Sequence, residues 1–182
     1  MARLSASARR PLSLWRRLDL AARWLFPSVT LLAGLLALGL PFGLPGQASL
    51  RPALAVGCVF FWSIYRPASL PAALTGVIGL VLDLLDYTPP GLWAVLLLCL
   101  QWLTIALRHQ LVGMKFRLIW AVFAGFALGA MTLAWAGQSL LCATLLPIWP
   151  SALAAGAAIA LYPALAAGLI RAHRGAAAVE LA

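Results

Sequence analysis

The chain has 182 residues, of which 64% are hydrophobic and only 9% are charged, and its mean hydropathy is +1.00. Soluble domains are about half apolar and a quarter charged, so this composition excludes an ordinary soluble protein. The net charge of +9 does not indicate a nucleic-acid partner, because the basic residues cluster at the ends of apolar runs and no aromatic-rich basic groove accompanies them.

Six apolar segments predict membrane-spanning helices, since about 20 apolar residues cross the hydrocarbon layer. They cover about 24–40, 48–65, 68–87, 92–107, 116–135 and 151–170. The sequence therefore predicts an all-α integral membrane protein. Its six-transmembrane-helix domain at 24–171 lies between a basic tail at 1–23 and a short tail at 172–182.

The distribution of basic residues predicts the orientation of these spans, because Lys and Arg in short loops favour the cytoplasmic side. If the N-terminus is cytoplasmic, 12 of the 13 basic residues fall on that side and only Arg51 lies on the far side. Both termini are therefore predicted to be cytoplasmic. A cleaved signal peptide is not expected, because the basic stretch reaches Arg23 and the apolar run after it is too long for a signal core.

Apolar residues at helical spacing within 14–25 predict a helix lying in the inner headgroup layer. We interpret it as a topology anchor, with a docking site for a cytoplasmic partner as the alternative. In the fifth span, Ala121, Gly125 and Gly129 recur every four residues and form a smooth face. This face is predicted to pack inside the bundle, and a homodimer contact is the alternative.

The sixth span is rich in alanine and carries Tyr162-Pro163 near its middle. A helix facing lipid would carry more leucine and phenylalanine, so we expect this span to pack against other helices. The proline frees a backbone carbonyl, and either a neighbouring helix or the tyrosine hydroxyl is expected to donate to it.

Asp83 and Asp86 are the acidic residues within the spans, and they share one helix face. We expect Asp86, beside Tyr87, to be exposed to water. Asp83 is predicted to hydrogen-bond a neighbouring helix or a helix N-terminus, with a partner contact or transport as alternatives. Two carboxylates are too few for a metal site, and the three cysteines stand alone in apolar stretches. Neither a metal nor any other cofactor is expected.

No Ser/His/Asp set, phosphate-binding loop or magnesium-binding acidic motif is present, so we do not expect an enzyme. His109 and His173 fall beside arginines at predicted cytoplasmic helix ends and are interpreted as interfacial residues.

Three stretches of the sequence, in order, resemble the rod shape-determining MreD family and together extend over most of the chain. The first is 59–67, which includes Tyr65, Arg66 and Pro67. The second is 79–92, with Gly79, Asp83, Thr88, Pro89 and Gly91. The third is 161–163, with Tyr162 and Pro163, followed by basic residues to 174. The chain departs from the family's usual pattern at Asp86, at Pro90 and in the thin basic run 108–110.

The resemblance implies a non-enzymatic scaffold of the cell-elongation machinery in the bacterial inner (cytoplasmic) membrane, which maintains rod shape. It implies binding to MreC and, through the wider complex, links to MreB, RodZ and peptidoglycan synthases. It also implies a fold similar to the substrate-binding subunits of vitamin uptake transporters. Membrane lipid is the other expected contact, and nucleic acid is not an expected partner.

A competing hypothesis is the substrate-binding membrane subunit of a small-molecule uptake transporter, and a lipid carrier or flippase is a third. An uptake subunit needs a polar pocket open to the outside. The outer half of the predicted bundle offers few polar groups for one; the residues there are Arg51, Asp83, Asp86, Tyr87, Thr88, Trp93, Gln138 and Trp149.

Overall fold

The computed structural model of the chain describes residues 31–40 and 46–178, with side chains described up to residue 171. The helices in chain order are α1 (described over 31–39), α2 (Gln47–Tyr65), a 3-10 turn (Pro67–Ser69), α3 (Ala72–Asp86), α4 (Leu92–Leu111), α5 (Phe116–Leu141) and α6 (Trp149–Ala178). The predicted helix in the N-terminal tail and residues 24–30 of the first predicted span lie outside the described residues. Residues 172–178 of the predicted C-terminal tail continue α6.

Four of these helices are long and apolar enough to cross a membrane, namely α2, α4, α5 and the 149–171 part of α6. The chain is therefore all-helical over its described residues and has the character of a multi-pass membrane protein. α3 has 15 residues, which rise about 22 Å, less than the roughly 30 Å of the hydrocarbon layer. The count of six spans remains a prediction.

The helix ends follow the local sequence. α3 begins directly after Pro71, whose extended backbone precedes the first helical residue, and it ends at Tyr87, which adopts a left-handed conformation with φ 52°. Gly91, with φ 95°, precedes α4. A residue with a Cβ is disfavoured in that conformation, so Gly91 is required for the tight connection between α3 and α4.

α2 is the central helix. It contacts α3, α4, α5 and α6. In its apolar 18-residue segment 67% of the residues are buried, whereas the corresponding share in the three other long helices is 28–33%. Aromatic rings fill the core between α2, α5 and α6. The ring of Phe60 lies 5.2 Å from Phe123 and 5.8 Å from Tyr162, and Tyr162 stacks on Phe123 at 4.0 Å.

The alanine-rich α6 packs against α2 and α5, which confirms that this helix lies against other helices. Its buried positions recur on one face and are small except for Tyr162; they are Ala154, Ala155, Ala158, Tyr162 and Ala166. Small side chains let helix backbones approach closely.

The small-residue face of α5 does not pack as predicted. Ala121 and Gly125 are exposed and Gly129 is half-buried. A Cβ added at either glycine would meet no atom within 4 Å of the described chain. The expectation of packing inside the bundle is therefore wrong. α5 instead turns inward the face that carries Phe123 and Met131, because these larger side chains fill more of the aromatic core. The homodimer alternative stays a prediction.

The two ends of the bundle differ in charge. One end carries Arg51, Asp83 and Asp86, and we call it the acidic end. The other, the basic end, carries Arg66, Arg108, Lys115, Arg117 and Arg171. This is the separation along the helix axes that the charge pattern predicted.

Candidate functional site

Asp83 lies at the centre of a compact hydrogen-bonded group at the acidic end. Its side chain is 1% exposed. One carboxylate oxygen accepts from the Thr88 hydroxyl at 2.7 Å and from the Trp93 backbone N–H at 3.0 Å, and the other accepts from the Gly91 N–H at 2.8 Å. We call Asp83, Thr88, Gly91 and Trp93 the Asp83 clamp.

The clamp joins the end of α3 to the start of α4. The first N–H groups of a helix have no partner within the helix, and a negative charge near them is favourable. Asp83 supplies both an acceptor and that charge. Its backbone carbonyl also accepts from the N–H groups of Tyr87 and Thr88. The prediction that Asp83 bonds a helix N-terminus is confirmed.

Gly79 extends this unit one turn down α3. A Cβ at Gly79 would lie 2.3 Å from the Cα of Ala94 and 2.6 Å from its nitrogen, so α3 and α4 touch there through their backbones. At Gly76 a Cβ would meet only a Leu98 methyl group, at 3.8 Å. Gly79 is therefore the position at which the close crossing of the two helices requires glycine.

Arg51 connects three helices at the same end. Its Nε donates to the Leu38 carbonyl of α1 at 3.0 Å, and one Nη donates to the Leu85 carbonyl and to the Asp86 carboxylate, both at 2.9 Å. Carbonyls near a helix C-terminus lack partners within the helix, so Arg51 satisfies two helix ends. Gln47 adds side-chain hydrogen bonds to the carbonyls of Leu38, at 2.8 Å, and of Leu40.

The expectation that Asp86 is exposed to water is wrong. Its side chain is only 13% exposed and forms an ion pair with Arg51, whose side chain is 15% exposed. The expectation was based on the neighbouring Tyr87, which is indeed 96% exposed. α3 instead turns Asp86 toward α2, because the two acids three residues apart share the helix face that meets the bundle.

A cavity of about 480 Å³ opens beside this ion pair, between the ends of α2, α3, α5 and α6. Polar groups line it together with the apolar side chains of Pro52, Trp93 and Met131; the polar members include Ser49, Arg51, Asp86, Thr88, Gln138 and Ser151. The residues expected in the outer half thus converge in large part on one cavity, to which Asp83 and Trp149 do not contribute. The volume lies within the range of about 300–1,000 Å³ that is usual for small-molecule sites.

Tyr65, Arg66 and Pro67 lie at the basic end, away from the Asp83 clamp. The Tyr65 ring lies 4.7 Å from Phe61 and is 45% exposed, and Arg66 is exposed. Pro67 opens the 3-10 turn. The end of α2 is satisfied by Arg108, whose Nε donates to the Ile64 carbonyl at 2.8 Å. These residues and the Asp83 clamp therefore lie at opposite ends of the bundle.

The carbonyl freed by Pro163 is that of Ile159, four residues earlier. The indole N–H of Trp120 on α5 donates to it at 2.9 Å. A neighbouring helix therefore supplies the partner, as one of the two expectations had it. Tyr162 instead lies 1% exposed among the aromatic rings.

Sequence reasoning missed the roles of Gln47, Arg51 and Trp120. Arg51 carried a signal, because it is a single basic residue expected at the same end as two acids. Trp120 and Gln47 carried none, since each bonds a carbonyl whose position depends on how the helices pack.

Within the described residues no group of three His, Cys, Asp or Glu side chains could hold a metal ion. Comparisons with protein-family models, with curated proteins and with solved structures each found no match to this chain.

Proposed function

We propose that the chain is a non-enzymatic scaffold of the bacterial inner membrane that takes part in cell elongation, as its resemblance to the MreD family implies. In this proposal it spans the membrane six times with both termini in the cytoplasm. It binds MreC and links MreB, with RodZ, to peptidoglycan synthases.

One observation carries the proposal. The residues of the second resembling stretch form a single packed unit in space, in which Gly79 meets the Ala94 backbone and Asp83 binds Thr88 and Gly91. The residues of this stretch thus have a common physical purpose, which is to fix the α3–α4 connection. That purpose suits a protein that acts through its fold better than one whose carboxylates take part in a reaction.

The charge distribution supports the same proposal. The basic end would face the cytoplasm under the preference of Lys and Arg for that side, and the Asp83 clamp would then lie at the periplasmic face. A partner with a large periplasmic domain would meet the clamp there.

The test is affinity purification of the tagged full chain from its native membranes in mild detergent. We expect a protein with one membrane span and a periplasmic coiled coil to co-purify near unit ratio. Asp83→Leu should lower this recovery and disturb cell shape. Leu84→Ala serves as the matched control, because the adjacent Leu84 side chain is 74% exposed. Normal shape and normal recovery with Asp83→Leu would overturn the role of the clamp.

The uptake-subunit hypothesis is the second candidate, and the cavity at the acidic end favours it. The same purification distinguishes the two functions. Recovery of ATPase subunits with a coupling membrane protein, instead of the single-span protein, would establish the second candidate.

A further inference from the structure

The polar groups around the cavity at the acidic end have unused hydrogen-bonding capacity. Arg51 and Asp86 bond each other through one Nη and Oδ1. Within the described part of the chain, the second Nη of Arg51 and Oδ2 of Asp86 have no further partner, and neither have the side chains of Gln138 and Ser151. None of these groups is among the fully buried polar atoms without a partner in the described residues. They reach the open cavity, where a bound ligand can form hydrogen bonds with them.

Trp93 forms an apolar part of the cavity wall. Its side chain is 3% exposed and lines the cavity, and its backbone N–H is bound to Asp83. The ring is therefore held in the same wall as the ion pair, where the uncharged part of a ligand can pack against it.

The charges of the cavity select the class of ligand. One guanidinium and one carboxylate lie side by side in its lining, 2.9 Å apart, so their charges sum to zero. A ligand with only a negative charge would be attracted by Arg51 and repelled by Asp86. A ligand with only a positive charge would be attracted by Asp86 and repelled by Arg51. A molecule with both charges can lie antiparallel to the ion pair, so that each of its charges meets an opposite one.

We propose that this cavity binds a small zwitterion, with its anionic group on Arg51 and its cationic group on Asp86, and with an uncharged part against Trp93 and Met131. Such a ligand can come from two sources: a free solute or the zwitterionic headgroup of a phospholipid. The binding site goes beyond the scaffold function and does not depend on it.

The experiment uses the purified full chain in an uncharged detergent and follows its melting temperature, because a ligand that binds only the folded state raises it. The probes are soluble glycerophosphoethanolamine and dioleoyl phosphatidylethanolamine. Glycerol 3-phosphate and dioleoyl phosphatidylglycerol are their anionic counterparts. We expect a zwitterionic probe to raise the melting temperature by about 3 °C or more at saturation, and its anionic counterpart to do less.

A response to the soluble probe identifies a free solute as sufficient, and a response to the lipid alone identifies the headgroup as the source. Both results support the proposal. An equal response to zwitterionic and anionic probes would overturn it, as would no response to either zwitterionic probe.

Variants separate the cavity from the rest of the surface. Ala48 is exposed at the start of α2 and lines the cavity, whereas Ala152 is exposed at the start of α6 and does not. Ala48→Trp should weaken zwitterion binding at least about tenfold, and Ala152→Trp should not. If Ala48→Trp does not fold, Gln138→Leu replaces it, since the Gln138 side chain makes no hydrogen bond to any described residue.

Asp86→Asn tests the charge assignment directly. The amide oxygen can still accept from Arg51, but the negative charge is gone. We expect the zwitterion to bind more weakly and the anionic probe more strongly than in the parent chain. Unchanged selectivity in Asp86→Asn would overturn the assignment of the cationic group to Asp86.

Discussion

Asp83 illustrates how one carboxylate can organise a helix junction in an apolar protein. It is buried, and it accepts hydrogen bonds from one hydroxyl and two backbone N–H groups. A carboxylate in the membrane interior is costly when it has no partner. Here the residues at the N-terminus of α4 donate hydrogen bonds to the carboxylate, and these bonds offset the cost of burying its charge.

Asp83→Leu should destabilise the chain by about 3 kcal/mol, because the N–H groups of Gly91 and Trp93 lose an acceptor in a buried place. Asp83→Asn keeps an oxygen acceptor and should cost less. Reversible unfolding of the purified chain in mixed micelles measures both. Equal stability of the parent and Asp83→Leu would contradict the clamp.

Gly79 and Gly76 lie one turn apart on α3, but only Gly79 touches backbone. We expect Gly79→Ala to cost about 1–3 kcal/mol, because the methyl group would force α3 away from Ala94. Gly76→Ala meets only a flexible methyl group and should be neutral or slightly stabilising, since alanine is the better helix former. Melting temperatures of the two variants provide the comparison, and a larger loss for Gly76→Ala would refute the proposed close crossing.

At the level of whole helices, backbone groups left without partners are satisfied by side chains of neighbouring helices. Arg51 and Gln47 serve the end of α1, Arg108 serves the end of α2, and Trp120 serves the interior of α6. In an apolar surrounding no water can take this place. These contacts therefore fix which helices lie side by side.

The contact between Trp120 and the carbonyl of Ile159 can be tested by a double-mutant cycle. Trp120→Phe should cost about 1 kcal/mol, in the range measured for hydrogen bonds between membrane helices. In a Pro163→Ala background, residue 163 regains the N–H that binds this carbonyl, so the cost of Trp120→Phe should be smaller. Equal costs in both backgrounds would show that Trp120 acts through packing alone.

The two ends of the molecule differ in charge. Five of the described basic residues lie at one end, and the Arg51–Asp86 ion pair and the hydrogen-bonded Asp83 lie at the other. Its large exposed apolar side chains lie along the outer faces of the helices, among them Val95, Trp102, Leu128 and Leu133. Apolar surface of this kind is suited to lipid or to a partner helix. α2, in contrast, is enclosed by its neighbours.

The three native cysteines allow the proposed orientation to be tested. Cys142 is exposed just after α5 at the acidic end, whereas Cys58 is buried. With Cys99 replaced by serine, we expect a membrane-impermeant maleimide to label Cys142 in intact spheroplasts. As a control, Lys115→Cys, in a chain that also carries Cys142→Ser, should be labelled only after permeabilisation. The opposite pattern would reverse the orientation and with it the periplasmic position of the Asp83 clamp.

The sequence by itself determined the membrane character of the chain, the approximate position of its helices and the separation of charge between two ends. These depend on the length and polarity of local segments, which the sequence states directly. It also indicated that Asp83 needs a buried partner, because a charge in an apolar segment is costly wherever the helix packs.

Only the tertiary structure decided which groups meet. It paired Arg51 with Asp86, directed Trp120 to the carbonyl freed by Pro163, and left Gly125 and Gly129 on an open face. These outcomes depend on the rotation of each helix about its axis. In a chain that is apolar on nearly every side, the hydrophobic pattern does not fix that rotation, and aromatic packing and a few hydrogen bonds between helices do.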